Sequence, residues 1–456
     1  MDFEEFEMSA LPAGRHLFRS DDGYESARRA TVWHQRVPDR YPEVIVQAVD
    51  ADDIVAGLRY AKANGLKVSV VSGGHSFAAN HLRDGSVLLD VSRLDHATID
   101  AENSTAVAGP GKGGSLLMAD LQEQGLFFPG GHCKGVCLGG YLLQGGYGWN
   151  SRIYGPAVES VIGVDVITAD GEQLHCDADN HPDLYWAARG AGPGFFGVVT
   201  SYHLKLYPRP AVCGTSVYLY PFDLADEVFT WARAVGAEVD PRVELQAVAS
   251  RGEPNMGIEE PVISFASPAF ADSEEEAEKA LALFGTCPVA DKALVKVPYM
   301  PTDLPTWYDV AMSHYLSDHH YAVDNMWTSA PAEDLLPGIR TILDTLPPHP
   351  AHFLWLNWGP VPPRQDMAYS VEADIYLALY GSWNDATDPA DAARYADWAR
   401  SNMEAMSHLA VGIQLADENL GQRPARFATD DAMAKLDRLR AQYDPDGLFN
   451  SWMGRI

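Results

Sequence analysis

Two glycine-framed turns, each carrying a nucleophilic side chain, constrain this chain more than any other feature of it. Ser72-Gly73-Gly74-His75-Ser76 closes an apolar run, Val68 to Val71. Gly130-Gly131-His132-Cys133 is followed closely by Gly139-Gly140 and by Gly145-Gly146-Tyr147-Gly148. A turn without Cβ atoms lets successive backbone N–H groups converge on an anion such as a pyrophosphate. The first turn has that composition, and Lys67 to Val71 reads as the strand that delivers it. Either motif alone is compatible with a tight turn around a structural histidine. The ordered pair is the more specific signal.

Rival motifs fail on context. Gly109-Pro110-Gly111-Lys112-Gly113-Gly114 and Gly192 to Gly197 both have the spacing of a dinucleotide fingerprint. The first places proline in the turn, and no acidic residue ends a second strand about twenty residues on. The second runs into a β-rich segment instead of a helix. Lys112 is followed by Gly113, not by Ser or Thr, which rules out a P-loop. Cys133 and Cys137 beside His132 lack a fourth ligand at comparable spacing, so no metal centre is expected. A His132–Cys133 dyad is also disfavoured, because neighbours on an extended segment point to opposite faces.

At 456 residues the chain exceeds one ordinary hydrophobic core, and two domains are expected. A net charge of −30 argues against nucleic acid or an anionic membrane as partner. No apolar stretch approaches the ~20 residues of a membrane span. Five cysteines do not form a disulfide framework. The stretch Met1 to Leu11 carries Asp2, Glu4, Glu5 and Glu7 and lacks the basic start of a secretory signal, so a cytoplasmic location is expected.

Periodicity predicts an α+β protein. Glu43 to Val49, Asp52 to Asn64 and Lys67 to Val71 read as strand, helix and strand, with Asp52 as the cap and Gly65 as the stop. Val87 to Val91 and Thr105 to Ala108 read as strands and Ser115 to Gln124 as a helix. Ser160 to Thr168 and Gln173 to Cys176 form a hairpin turned by Asp170-Gly171. After Pro210, alternating segments at Gly214 to Tyr220, Val243 to Ala249, Val262 to Phe265 and Ile375 to Tyr380 are interleaved with helices at Ala225 to Val235, Ser273 to Leu283 and Ala390 to Met406. That order predicts an antiparallel sheet covered on one face by helices. Domain boundaries are expected at residues 1–208, 209–406 and 407–456.

The motifs SGGHS (72–76), GGHCKGVCLGGYLLQGGYG (130–148), VDVITADGE (164–172), GFFGVVT (194–200) and YDPDGLF (443–449) resemble the berberine bridge enzyme-like, FAD-linked oxidases. The resemblance implies a two-part FAD-binding domain of the vanillyl-alcohol-oxidase type, to which the C-terminal segment returns, and a substrate domain on a large antiparallel sheet. It implies FAD bonded to His75 at its 8α methyl and to Cys133 at carbon 6. Ser72, Gly73, Gly74 and Ser76 would take the pyrophosphate, and Gly139, Gly140 and Gly145 would pack along the flavin. Val198 would lie near the ribityl chain or adenine, and Gly131 and Asn450 are assigned to the cofactor as well. Val136, three residues after the tethering cysteine, is the small residue that accompanies reoxidation by O₂. Tyr141 stands where many relatives have histidine.

The implied activity is oxidation of an alcohol, amine or activated carbon in a secondary-metabolite, phenolic or sugar-like small molecule, with O₂ reduced to H₂O₂. The alternative is a dehydrogenase or oxidative cyclase using another acceptor. A monomer or homodimer is expected. The tyrosine pair that many relatives carry before the YDPD tail is missing at Gly412-Ile413-Gln414-Leu415. Replacement bases are sought in Tyr376 and Tyr380, which share a face if their segment is a strand, in Glu372 just before them, and in the cluster His314, His319 and His320. Trp355, Trp358 and Trp383 complete the aromatic residues expected around a substrate.

Overall fold

In the computed structural model, residues 11–455 are described. The acidic stretch behind the expected location therefore falls almost wholly outside them. Strands Val44–Gln47 and Lys67–Val71 both pair in parallel with Ser86–Asp90, and His16–Phe18 completes a four-stranded sheet. Helix Ala51–Ala63 crosses between the two parallel strands and buries Ile54, Leu58 and Ala61 on them. Its cap is Asp50, not Asp52. Asp50 has extended backbone and its carboxylate accepts from Asp53 N at 3.0 Å, whereas Asp52 already lies inside the first turn. Gly65 leaves the helix with φ +63°.

A second sheet runs Ala97–Asp100, Thr105–Ala108, Val198–Lys205, Val161–Ile167, Gln173–Cys176, antiparallel throughout. The C-terminal helix Asp430–Tyr443 is followed by a segment that lies back on the first sheet. Val68 N donates to Leu448 O and Asn450 N to Val68 O, at 2.8 and 2.9 Å. Buried Asp444 accepts both Leu448 N and Phe449 N, which fixes the return. One hydrophobic core joins the first two sheets with residues 413–452.

The third sheet has seven antiparallel strands in the order Val295–Thr302, Val212–Pro221, Ile258–Ala271, Gln246–Glu253, His352–Asn357, Ile375–Trp383, His320–Thr328. Strand alternation divides its residues cleanly. Phe353, Trp355, Leu377 and Leu379 face helices Ala225–Val235, Ala332–Thr345 and Pro389–Ala405 in a second core. Leu354, Leu356, Tyr376 and Tyr380 face the other way, into a cavity. Trp355 is thus fully buried under the helices and not beside a substrate. Helix Ala332–Thr345 escapes pattern reading because Pro337 sits in its interior.

Candidate active site

The strand Lys67–Val71 runs directly into the first glycine turn. Gly74 has φ +67°, and a Cβ there would lie 2.1 Å from the Thr31 carbonyl oxygen. A Cβ on Gly73 would come within 2.9 Å of the Cys137 backbone nitrogen. The turn is therefore closed to any side chain at both positions. It also packs on the second glycine segment, where a Cβ on Gly139 would meet Ser72 Oγ at 2.7 Å. His75 lies flat on Trp33, with ring centroids 5.3 Å apart and planes 8° apart. Burial lowers its pKa to about 4, partly offset by a bond to the Gly135 backbone, so the imidazole is neutral.

Both turns open on one cavity of about 590 Å³. His75 and Cys133 both line it, with Ser72, Gly73, Gly74 and Ser76 from the first turn. Gly131, Val136, Gly139, Gly140 and Asn450 line it too. Burial, and then the charge of Asp417, push the Cys133 thiol up to about 12. His132 is engaged elsewhere: its Nε2 is 2.8 Å from Glu244 Oε2. The Asn450 amide donates to Ser69 Oγ and Ser86 Oγ at 2.8 and 2.9 Å, which staples the C-terminal segment beneath the turn.

Two expected cofactor positions lie elsewhere. Val198 is fully buried in the core, and its strand neighbour Val199 lines the cavity instead. A one-residue offset in a strand reverses the face. Gly145, at φ +107°, backs onto the Tyr369 ring, where a Cβ would come within 2.7 Å, and it does not reach the cavity.

The expected bases are sorted by their hydrogen bonds. Tyr376 and Tyr380 share one face of Ile375–Trp383, and both hydroxyls donate to Asp417 Oδ2, at 2.5 and 3.0 Å. Burial and the Asp417 charge hold both phenols well above their ordinary value, so they remain protonated donors. Asp417, which sequence reasoning missed, lines the same cavity as His75 and Cys133. Burial raises its pKa, and the two tyrosine bonds pull in the opposite direction. Its turn, Leu415–Asp417, is clamped by Asn325, which donates to the carbonyls of Gln414 and Asp417 at 3.0 and 2.8 Å. The only signal in the sequence was an acid shortly after the stretch where the family tyrosines are missing.

Glu372 is not a free base. Its carboxylate accepts from Arg364 at 2.7 and 3.1 Å and from Trp358 Nε1 at 2.8 Å, and it does not line the cavity. Trp358 is thereby accounted for as a structural donor. Tyr141 lines the cavity, but its hydroxyl donates to the Pro129 carbonyl at 2.7 Å. His314 lines the cavity, with burial lowering its pKa to about 4. His319 and His320 pair outside it with Asp318 and Asp385, and Trp383 stacks on His320. The wall formed by the seven-stranded sheet mixes aliphatic side chains, Val217, Val248, Ala266, Leu354 and Leu356, with polar ones, Thr215, Gln246, Ser264, Thr302 and His352, beside Tyr376 and Tyr380. Met300 and Val310, about 40% exposed, continue that wall to the surface.

A family model described as "FAD binding domain" matches residues 42–177. The chain is 31% identical over 428 residues to the FAD-linked oxidoreductase nodO of Hypoxylon pulicicidum, covering 92% of this chain and 93% of that protein. Among solved structures, 6-hydroxy-D-nicotine oxidase from Arthrobacter nicotinovorans superposes with a TM-score of 0.82 at 21% identity, over 98% of both chains. A single-residue variant of berberine bridge enzyme, described as a reticuline dehydrogenase, superposes with a TM-score of 0.81 at 17% identity, over 97% of this chain and 96% of that one. Among the described residues no helix is long and apolar enough to cross a membrane.

Proposed function

This chain belongs to the berberine bridge enzyme-like FAD-linked oxidoreductases, and on that premise we propose that it is an oxidase with doubly tethered FAD and Asp417 as its base. The chain's own residues fit the cofactor: the Gly73-Gly74 backbone is held against Cys137 and Thr31 with no room for a Cβ and lines the cavity, and neutral His75 and the Cys133 thiol open on the same cavity. His75 and Cys133 would hold the flavin, and the backbone of residues 72–76 its pyrophosphate. When bound, FAD supplies a two-electron oxidant that accepts a hydride equivalent from the substrate and delivers the electrons to O₂ as H₂O₂.

Asp417 removes the proton from a substrate hydroxyl or amine. Both tyrosine bonds fall on Oδ2, which leaves Oδ1 as the receiving atom. Tyr376 and Tyr380 keep the carboxylate aimed and stabilise its charge. The cavity surface taken as a whole is mostly apolar, which favours an apolar or aromatic body over a sugar. A secondary-metabolite or phenolic alcohol or amine is the substrate class that matches this lining. Val136 leaves the small side chain that, in relatives, accompanies reaction with O₂.

The observation that carries this reading is the convergence of two tyrosine hydroxyls on Asp417, in the cavity that also holds His75 and Cys133. Peroxide release from lipophilic phenolic alcohols, amines and simple sugars, measured for the wild type and for Asp417→Asn, tests it. The expected result is turnover of lipophilic substrates and its loss in the variant. Turnover of simple sugars alone, or full activity of Asp417→Asn, would contradict it.

A further inference from the structure

On the five-stranded sheet, outside the cavity, three side chains converge. Asp165 and His175 are cross-strand partners, and His203 stands opposite Gly163, on the same face as Asp165. Asp165 Oδ1 is 2.7 Å from His175 Nδ1, and Oδ2 is 3.1 Å from His203 Nε2. The three ligand atoms all lie within 4.8 Å of one another. Gly163 makes the arrangement possible, since a Cβ there would sit only 3.3 Å from the His175 ring.

A second observation concerns the far side of His175. Its Nε2 is 3.3 Å from Asp177 Oδ2. Nδ1 carries the proton that bonds Asp165 Oδ1; a cation bound there displaces that proton, and Asp177 on the outer nitrogen then aims the ring and increases its donor strength. This is the outer arrangement that accompanies metal-bound histidine. The cluster therefore contains three ligand atoms and the group that orients one of them.

The geometry points to a surface divalent-cation site made by Asp165, His175 and His203, with Asp177 as the positioning residue for His175. Two imidazoles and one carboxylate suit zinc or a similar borderline cation; calcium and magnesium prefer oxygen alone. Metal–ligand bonds of about 2.0–2.2 Å require ligand atoms roughly 3.3–3.6 Å apart. The observed spacing needs only a small side-chain adjustment. The ligands come from three adjacent strands, and water completes the coordination on the solvent side. None of the three residues lines the cavity, so the cation acts as a clamp on the sheet edge and takes no part in the oxidation.

The test uses the full, tag-free chain as purified, dialysed against EDTA and then titrated with zinc chloride by calorimetry at pH 7.5. The expected result is one saturable site per chain, lost in His175→Asn and in His203→Asn. Asp177→Asn should weaken binding about 10- to 100-fold. His408→Asn, at an exposed histidine elsewhere, should leave it unchanged. Zinc should raise the thermal midpoint of the wild type and not that of the two histidine variants, whose own cooperative unfolding shows that they are folded. Absence of a saturable zinc site, binding retained in both histidine variants, or a preference for calcium would overturn the assignment.

Discussion

The Tyr376 hydroxyl donates to Asp417 Oδ2 at 2.5 Å. With Tyr380 on the same oxygen, the pair reverses the assignment that the sequence invites. The tyrosines are held protonated as donors, which leaves the carboxylate as the acceptor of the group. Replacing Asp417 by Asn keeps the size of the side chain and both hydroxyls' neighbour but removes the basic oxygen. The expected outcome is a fall in kcat of about 10²- to 10⁴-fold with the flavin content unchanged. Steady-state peroxide assays and the visible spectrum check it together.

Tyr376→Phe should move the acid limb of the pH–rate profile. The tyrosine bond favours the charged form of Asp417 and lowers its pKa. Removing that bond raises the pKa, so activity, which needs the carboxylate, should appear only at higher pH than in the wild type. A limb that stays in place or moves to lower pH would count against Asp417 as the base.

Glu372 separates structure from catalysis. Its side chain is 8% exposed and that of its partner Arg364 is 15% exposed. Arg364→Met strips the main partner from a buried carboxylate and should cost about 3–5 kcal/mol of stability. Glu372→Gln should retain a kcat close to wild type, since it has no place in the cavity. Thermal unfolding and steady-state kinetics on both variants decide between a structural and a catalytic role.

Gly74→Ala should yield protein without flavin, or insoluble protein. The added methyl would stand 2.1 Å from a backbone carbonyl that cannot yield, at a φ of +67° that alanine rarely adopts. Flavin absorbance per chain is the readout.

Val136→Leu should slow flavin reoxidation by air about tenfold or more, roughly 1.4 kcal/mol of barrier, while reduction by substrate changes less. Stopped-flow spectroscopy measures the two halves separately.

How much of this was legible in the sequence follows a physical divide. Local signals carried well: helix Ala225–Val235, strand Thr105–Ala108 and the Asp170-Gly171 hairpin depend on caps, turns and short-range periodicity. The glycine turns were visible because a missing Cβ is written in the sequence. Strands Val295–Thr302, His320–Thr328 and His352–Asn357 were not recognised, since their pairing is long-range and the last is nearly apolar on both faces. The same limit hid Asp417. Nothing in Ala416-Asp417-Glu418 reveals that two tyrosines some forty residues upstream will meet it. Val198 and Trp355 show the consequence of a strand whose face is unknown: each is one position from a residue that does line the cavity.

The central claim is that His75 and Cys133 hold one FAD between them, and intact mass of the denatured, desalted protein tests it most directly. The account predicts a gain of one FAD in the wild type, in His75→Ala and in Cys133→Ala, and none in the double variant. A wild-type mass without flavin, or a flavin lost completely in either single variant, would contradict the two-tether account.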